Sequence, residues 1–377
     1  MHKIEKNKSL SITRTVVQIG PDPYAQGGIA AVIGGYQAHR AGFEKLGYSM
    51  VFISSGAGAD HGAILRFFAA WFRLIWLSIC HNVHLVQIHT SVKGSLLRKS
   101  AFAATCLALR RPYVMHVHSG AFIPYYQALP RALRVLVRWI FSRAACVICL
   151  SEHVRQQFGL TGLVAAEKCR LIYNGIEDPL ANRDEVPLTP QKKACSSSGK
   201  LTITFLGKLI EAKGLPTLLE ALAGLPASAF EYTLLVGGNG DIAAFSEQVK
   251  GYGLGERVTC LGWVSGERKA TLLSESTIFV LPSRSEGFPV ALVEAMAFGV
   301  AVLSTRIPGV VDAVRDGTDG LLVEPDDPDA LRRALMMLLR DTELRERLGA
   351  SARQRFLDHF TILQISHRLA AIYDGVR

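Results

Sequence analysis

The chain has 377 residues, of which 49% are apolar and 20% charged; this is more than one ordinary core needs, and no low-complexity tract or fixed-period repeat marks it as disordered or solenoidal. Its net charge of +10 is confined to one half: residues 1–180 hold 20 Lys and Arg against 8 Asp and Glu, and residues 181–377 hold 22 against 24. A basic half beside a neutral one points to an anionic partner for the first domain alone, whether nucleic acid, phospholipid surface or phosphorylated substrate.

The opening MHKIEKNKSLSITRTVVQIG is charged and lacks the apolar core of a signal peptide, so secretion is not expected. Short β-branched runs then alternate with helix-period segments: TVVQIG, SMVFIS, HLVQIH, YVMHVH, CVICLS and RLIYN read as strands, the signature of a parallel sheet with crossover helices. After the first strand comes GPDPYAQGGIAAVIGGY. There Gly27 and Gly28 allow close backbone approach just before a helix predicted from about Ile29, as in phosphate-binding loops, although the spacing matches neither GxGxxG nor GxxxxGK[ST].

Ala63 to Cys80 is strongly apolar, but Arg66 and Arg73 interrupt it and it falls short of a ~20-residue span. His116 and His118 alternate on a predicted strand and so share a face; the sequence places no third ligand beside them, and a hydrogen-bond donor to a ligand oxygen is the expectation. LPRALRVLVRWIFSR puts Arg131, Arg134 and Arg138 on one helix face. Together with the 63–80 segment it resembles helices that lie in a lipid headgroup layer, the competing reading being core helices with snorkelling arginines. Cys146 and Cys149 sit in a buried-strand pattern where residues three apart face opposite ways, and the seven cysteines form no disulfide framework; a reducing cytoplasm suits them.

Residues 179–200, rich in Pro, Ser and charge, read as a linker, and six more strands follow: LTITFLG, YTLLVG, RVTCLG, TIFVLP, VAVLST and GLLVE. In FLGKLIEAKGLPTLLEAL a strand ends at Gly207 and a helix is predicted from Leu215. Lys208 and Lys213 bracket the turn, and the helix start would complete a phosphate site. VGGNGD, with Gly237, is a second glycine-rich strand end. SRSEGFPVALVEAMAFGV places Glu286 on a loop at the carboxyl end of a strand and Glu294 inside the next helix, with Pro289 at the join and Gly299 as the stop. Ligands of open α/β sheets bind at that edge. Glu294 lies among Val, Leu, Ala and Met, where an unpaired carboxylate costs several kcal/mol, so a hydroxyl or cationic partner is required. Asp326 and Asp327 precede Pro328 and read as helix capping.

In order and spacing, GGI, HVHSG, IYNGI, GKLIEAKG, LVGGNGD, LGWV and EGFPVALVE resemble glycosyltransferase family 4, retaining enzymes with two Rossmann-like domains facing across a cleft (GT-B). The linker between the two strand sets divides the chain into domains at 1–180 (acceptor) and 181–355 (nucleotide sugar), followed by a C-terminal helix at 356–377 that packs either on its own domain or back on the first. The resemblance implies that Glu286 holds donor-sugar hydroxyls and Glu294 the ribose, with Gly287, Phe288, Pro289 and Val290 lining sugar and phosphate. Lys208 and Lys213 would neutralise the diphosphate beside Gly207 and Gly237; Gly27 and Gly28 would approach it from the first domain, His118 would meet the transferred sugar, and the base would stack near Leu261 to Val264. The family usually has Arg where this chain has Lys208, which removes a bidentate contact. The implied substrate is a UDP- or GDP-linked sugar with no cofactor and no metal, and the implied acceptor a lipid-linked glycan at the anionic inner face of the cell membrane. A nucleotide-sugar epimerase or a glycogen-synthase-like enzyme shares the architecture. A nucleic-acid-binding protein would explain the charge but not the carboxylates.

Overall fold

The computed structural model describes residues 13–55, 62–181, 201–226 and 230–376. The predicted linker lies almost wholly outside them, as does Cys195. Each half forms one six-stranded sheet in which every pairing is parallel. The first sheet is built from β1 (Arg14–Gly20), β2 (Tyr48–Ser54), β3 (Val83–Thr90), β4 (Tyr113–Val117), β5 (Cys146–Cys149) and β6 (Cys169–Leu171), in the order β2-β1-β3-β4-β5-β6. The second comprises β7 (Leu201–Leu206), β8 (Tyr232–Gly237), β9 (Val258–Gly262), β10 (Ile278–Leu281), β11 (Ala301–Thr305) and β12 (Leu321–Val323), in the order β12-β11-β10-β7-β8-β9.

Both orders reverse direction once, between β1 and β3 and between β7 and β10, and a crevice opens at the carboxyl ends of the strands at such a reversal. All twelve predicted strands are present. β6 stops at Leu171, short of the RLIYN run, because Asn174 belongs to the connection between domains. Cys146 and Cys149 are both buried, and they pack into different clusters on opposite faces of the first sheet.

The last two helices bridge the halves. Thr342–His359 buries Leu348, Ala352 and Phe356 in the second-domain core, and the chain then crosses at Phe360 and Thr361, slightly beyond the expected boundary at 356. Ile362–Asp374 joins the first-domain core through Ile362, Ile365, Leu369 and Tyr373. The crossing is pinned by a parallel bridge between Ile176 and Thr361 and by Arg353, whose guanidinium donates to both Asp178 oxygens at 2.7 and 2.8 Å.

Ala63–Cys80 is a single helix and the crossover from β2 to β3, packed through Ala70, Leu74 and Leu77. Despite Arg66 and Arg73 it is long and apolar enough to cross a membrane by length and composition, which corrects the expectation drawn from those arginines. Its outer face leaves Ile64, Leu65, Phe68, Phe72, Trp76 and Ile79 exposed.

Candidate active site

The crevices of the two sheets face each other and enclose a cavity of about 540 Å³. From the first domain it is lined by the loop and helix start after β1, including Gly27 and Gly28, and by His118 just past β4. From the second it takes Gly207, Lys208 and Lys213 after β7, Gly237 at the end of β8, Val264 after β9, and Glu286 to Val290 with Glu294 after β10. Residues from the first strand end of one domain and the fourth of the other thus line one cavity because two strand-end edges converge. Leu261 is not part of this wall; it packs half-buried against the second-domain core, and Trp263 stands on the cavity side instead.

Close approach of the domains depends on two glycines. A Cβ on Gly120 would stand 2.4 Å from the Glu286 carbonyl oxygen, and one on Gly287 would stand 2.3 Å from that of His118. The loops after β4 and β10 therefore touch backbone to backbone. Gly27, at φ 142°, occupies a conformation that favours glycine, and neither it nor Gly28 would have a Cβ within 4 Å of any neighbour, so this backbone faces open space. At the rim Asn239 Nδ2 donates to Gln26 Oε1 across the domains.

The charged groups are paired in register. Glu286 Oε1 accepts from Lys213 Nζ at 2.6 Å and from Ser283 Oγ at 2.7 Å, while Glu294 Oε1 accepts from Lys269 Nζ at 2.5 Å. Lys269, in the helix Gly266–Glu275, is the cationic partner that the apolar surroundings of Glu294 required. Nothing in the local pattern marks it, since in GERKATLLSE it reads as one more charge on a solvated face. Lys208 is exposed, with no side-chain partner among the described residues. Helix Val290–Ala297 starts at the cavity with Pro289 at its N-cap. The helix Leu215–Ala223 does not, contrary to expectation: the αL turn at Gly214 seats its backbone against the Pro282 carbonyl, and neither Gly214 nor Leu215 lines the cavity.

Asn174, buried in the interdomain connection, also lines the cavity, its Nδ2 donating to the Phe288 carbonyl at 3.5 Å while its Oδ1 has no partner among the described residues. Asp327 caps the helix Pro328–Arg340 through the Ala330 amide, as predicted, and Asp326 instead pairs with Arg284 at 2.6 Å.

His116 and His118 do share a face, with rings stacked 4.2 Å apart, and a third imidazole joins them from β3. His89 Nδ1 lies 2.8 Å from His118 Nε2, and the ring nitrogens of all three lie within 4.8 Å of one another. Burial holds every one of these histidines neutral, pushing His118 down to about 3 and His89 and His116 well below the usual range.

Two doubly wound domains facing across a cavity lined by a helix start from each, with lysines and carboxylates, define a GT-B glycosyltransferase. The family description Glycosyltransferase Family 4 matches residues 42–178, and Glycosyl transferases group 1 matches residues 190–355. The chain belongs to the family 4 type of glycosyltransferase. It is 27% identical to the N-acetyl-alpha-D-glucosaminyl L-malate synthase of Bacillus anthracis, over 78% of this chain and 75% of that one. It is 25% identical to the lipopolysaccharide core biosynthesis glycosyltransferase LpsE of Rhizobium meliloti, over 85% and 92%. Its fold superposes on HepE of Anabaena, solved in complex with UDP-glucose, with a TM-score of 0.73 at 19% identity, covering 96% of this chain and 99% of that one.

Proposed function

We propose that the protein transfers a hexose, with retention of anomeric configuration, from a UDP- or GDP-linked sugar to a hydroxyl of a lipid-linked glycan during lipopolysaccharide or exopolysaccharide assembly. The observation that carries this reading is the single cavity in which two lysine–carboxylate pairs from one domain face the open Gly27–Gly28 backbone of the other. The Rhizobium relative acts in lipopolysaccharide core synthesis, and the Anabaena neighbour was solved with UDP-glucose.

Chemistry at this site starts with the bond between the sugar's anomeric carbon and the β-phosphate oxygen. Breaking it puts negative charge on the departing diphosphate and positive charge on the ring. Lys208, Lys213 and the amides at the starts of the helices Gly28–Ala38 and Val290–Ala297 stabilise the first; the amides and the Glu286-paired Lys213 are held in place before reaction begins. Glu286 binds sugar hydroxyls and Glu294 the ribose, each exchanging part of its lysine contact for the donor. The acceptor hydroxyl attacks the face that the diphosphate leaves, and its proton passes to the departing oxygen. Closure of the domains excludes water and limits donor hydrolysis. No metal or cofactor has a part in this scheme.

The acceptor side is the basic first domain. Arg131, Arg134 and Arg138 line one shallow groove of about 340 Å³ on the helix Arg131–Arg143, beside exposed Val135, Leu136 and Trp139. The exposed apolar and basic side chains of this helix, and the exposed apolar outer face of Ala63–Cys80, suit peripheral binding to an anionic cytoplasmic leaflet. The test is incubation with nucleotide sugars and acidic-lipid vesicles carrying extracted lipid-linked glycans. Release of nucleoside diphosphate with a hexose mass gained by the lipid, and vesicle binding lost in high salt, support the proposal. Release of free or epimerised sugar with no lipid product overturns it.

A further inference from the structure

The third imidazole is part of a longer chain of buried polar groups that begins at the far end of the sequence. Tyr373, in the helix that crosses back to the first domain, donates its hydroxyl to Gln87 Oε1. Burial pushes that hydroxyl well up, so it keeps its proton and can only be the donor to an amide oxygen. This orients the Gln87 amide: Nε2 points the other way and stands 3.0 Å from His116 Nδ1 and 3.4 Å from His89 Nε2. An amide nitrogen only donates, so both ring nitrogens accept. His89, being neutral, then carries its proton on Nδ1, which faces His118 Nε2 at 2.8 Å.

We propose that Tyr373, Gln87 and His89 are positioning residues that lock His118 in one tautomer, with Nε2 accepting and Nδ1–H free to donate into the cavity. This rests on the reading of the cavity as the donor site. The four bonded ring nitrogens leave His116 Nε2, which is buried, and His118 Nδ1, neither of which has a partner among the described residues. A neutral imidazole in water divides between two tautomers, but each bond of a buried chain fixes the direction of the next. His118 therefore presents a hydrogen-bond donor to a sugar or phosphate oxygen and cannot act as a base through the nitrogen that faces the ligand. It also follows that the last helix, although outside the cavity, sets the chemistry of a group inside it.

The test reads the tautomer without turnover. In uniformly 15N-histidine-labelled protein, with His118 signals assigned by their loss in His118→Asn, the proposal predicts a protonated Nδ1 and a bare Nε2 at pH 7. In Tyr373→Phe the amide is free to rotate, and the His118 signals shift toward a mixture of tautomers. Transfer by that variant falls about tenfold in kcat with donor KM changed less than twofold, roughly 1.4 kcal/mol of transition-state stabilisation. A protonated Nε2 in the wild-type protein overturns the proposal, as does an unchanged tautomer in a folded Tyr373→Phe variant, or zinc that removes both imidazole N–H signals by coordination. Because the tautomer readouts, unlike the transfer kinetics, need no sugar nucleotide, an absence of transfer activity would count against the proposed function and leave the tautomer result standing.

Discussion

Lys213 Nζ stands 2.6 Å from Glu286 Oε1, so the ammonium assigned to the diphosphate and the carboxylate assigned to the sugar neutralise each other inside the cavity. The pair is mostly shielded from solvent, and removing one member leaves the other charge partly buried and unpaired. Lys213→Met is expected to lower kcat about 100-fold or more and to cost about 1–3 kcal/mol of stability. Glu286→Gln keeps a partner for Ser283 and should cost less stability for a comparable loss of turnover. Kinetics and denaturant melts of both variants and of the double variant measure the coupling; additive effects on rate would mean that the two groups do not act on one ligand.

Lys269 lines the cavity beside Glu294, and its ammonium is held on that carboxylate. Lys269→Met should therefore raise the donor KM about tenfold while kcat changes little, the pattern of lost uniform binding. A fall in kcat at unchanged KM would place Lys269 at the reacting bond instead.

Gly287 and Gly28 make opposite predictions for one added methyl group. Gly287→Ala drives a Cβ into the His118 carbonyl and should open the interdomain contact, detected as increased hydrogen exchange in the loops after β4 and β10. At Gly28 a Cβ meets nothing, so Gly28→Ala should melt within about 0.5 kcal/mol of the parent. It should nevertheless bind nucleotide more weakly, because the methyl fills space the diphosphate needs; unchanged affinity would remove this loop from the phosphate site.

Much of this arrangement was legible in the sequence. Short β-branched runs alternating with helix-period segments mark both sheets, and Glu286, Glu294, Lys208 and Lys213 follow strand ends where ligands of such sheets bind. What escaped depends on tertiary approach. Trp263 faces the cavity and Leu261 the core because β9 ends at Gly262, with φ 67°, a turn that period-two alternation does not foresee. Lys269 and His89 come from elements whose local pattern says helix face and buried strand. Their partners lie 25 and 29 residues away, and only the fold brings them within hydrogen-bond reach. The exposed apolar face of Ala63–Cys80 was visible as composition, but which of its residues the domain covers was not.

The neutral histidines tie stability to pH. An unfolded histidine titrates near 6.5, whereas His118 in the fold titrates at about 3 and His89 and His116 also lie well below the ordinary value. Below about pH 6.5 the unfolded chain binds protons that the folded one refuses, so stability rises with pH in this window and is lost as pH falls. Each histidine contributes a slope of about 1.4 kcal/mol per pH unit once its unfolded form is charged. Urea melts from pH 7 to 5 should show this fall, and His116→Leu should reduce the slope by one proton. A flat profile would mean that the three rings are not held neutral.

The central claim, that Glu294 and the cavity around it grip a nucleotide sugar, is tested most directly by thermal unfolding of the wild-type and Glu294→Ala proteins against a panel of uridine and guanosine diphosphates and their sugars. The account predicts that one nucleotide series stabilises the wild-type protein by about 2.7 kcal/mol at 100 times its dissociation constant, and that the gain disappears in Glu294→Ala. Equal stabilisation of both proteins, or of neither by any member of the panel, would contradict it.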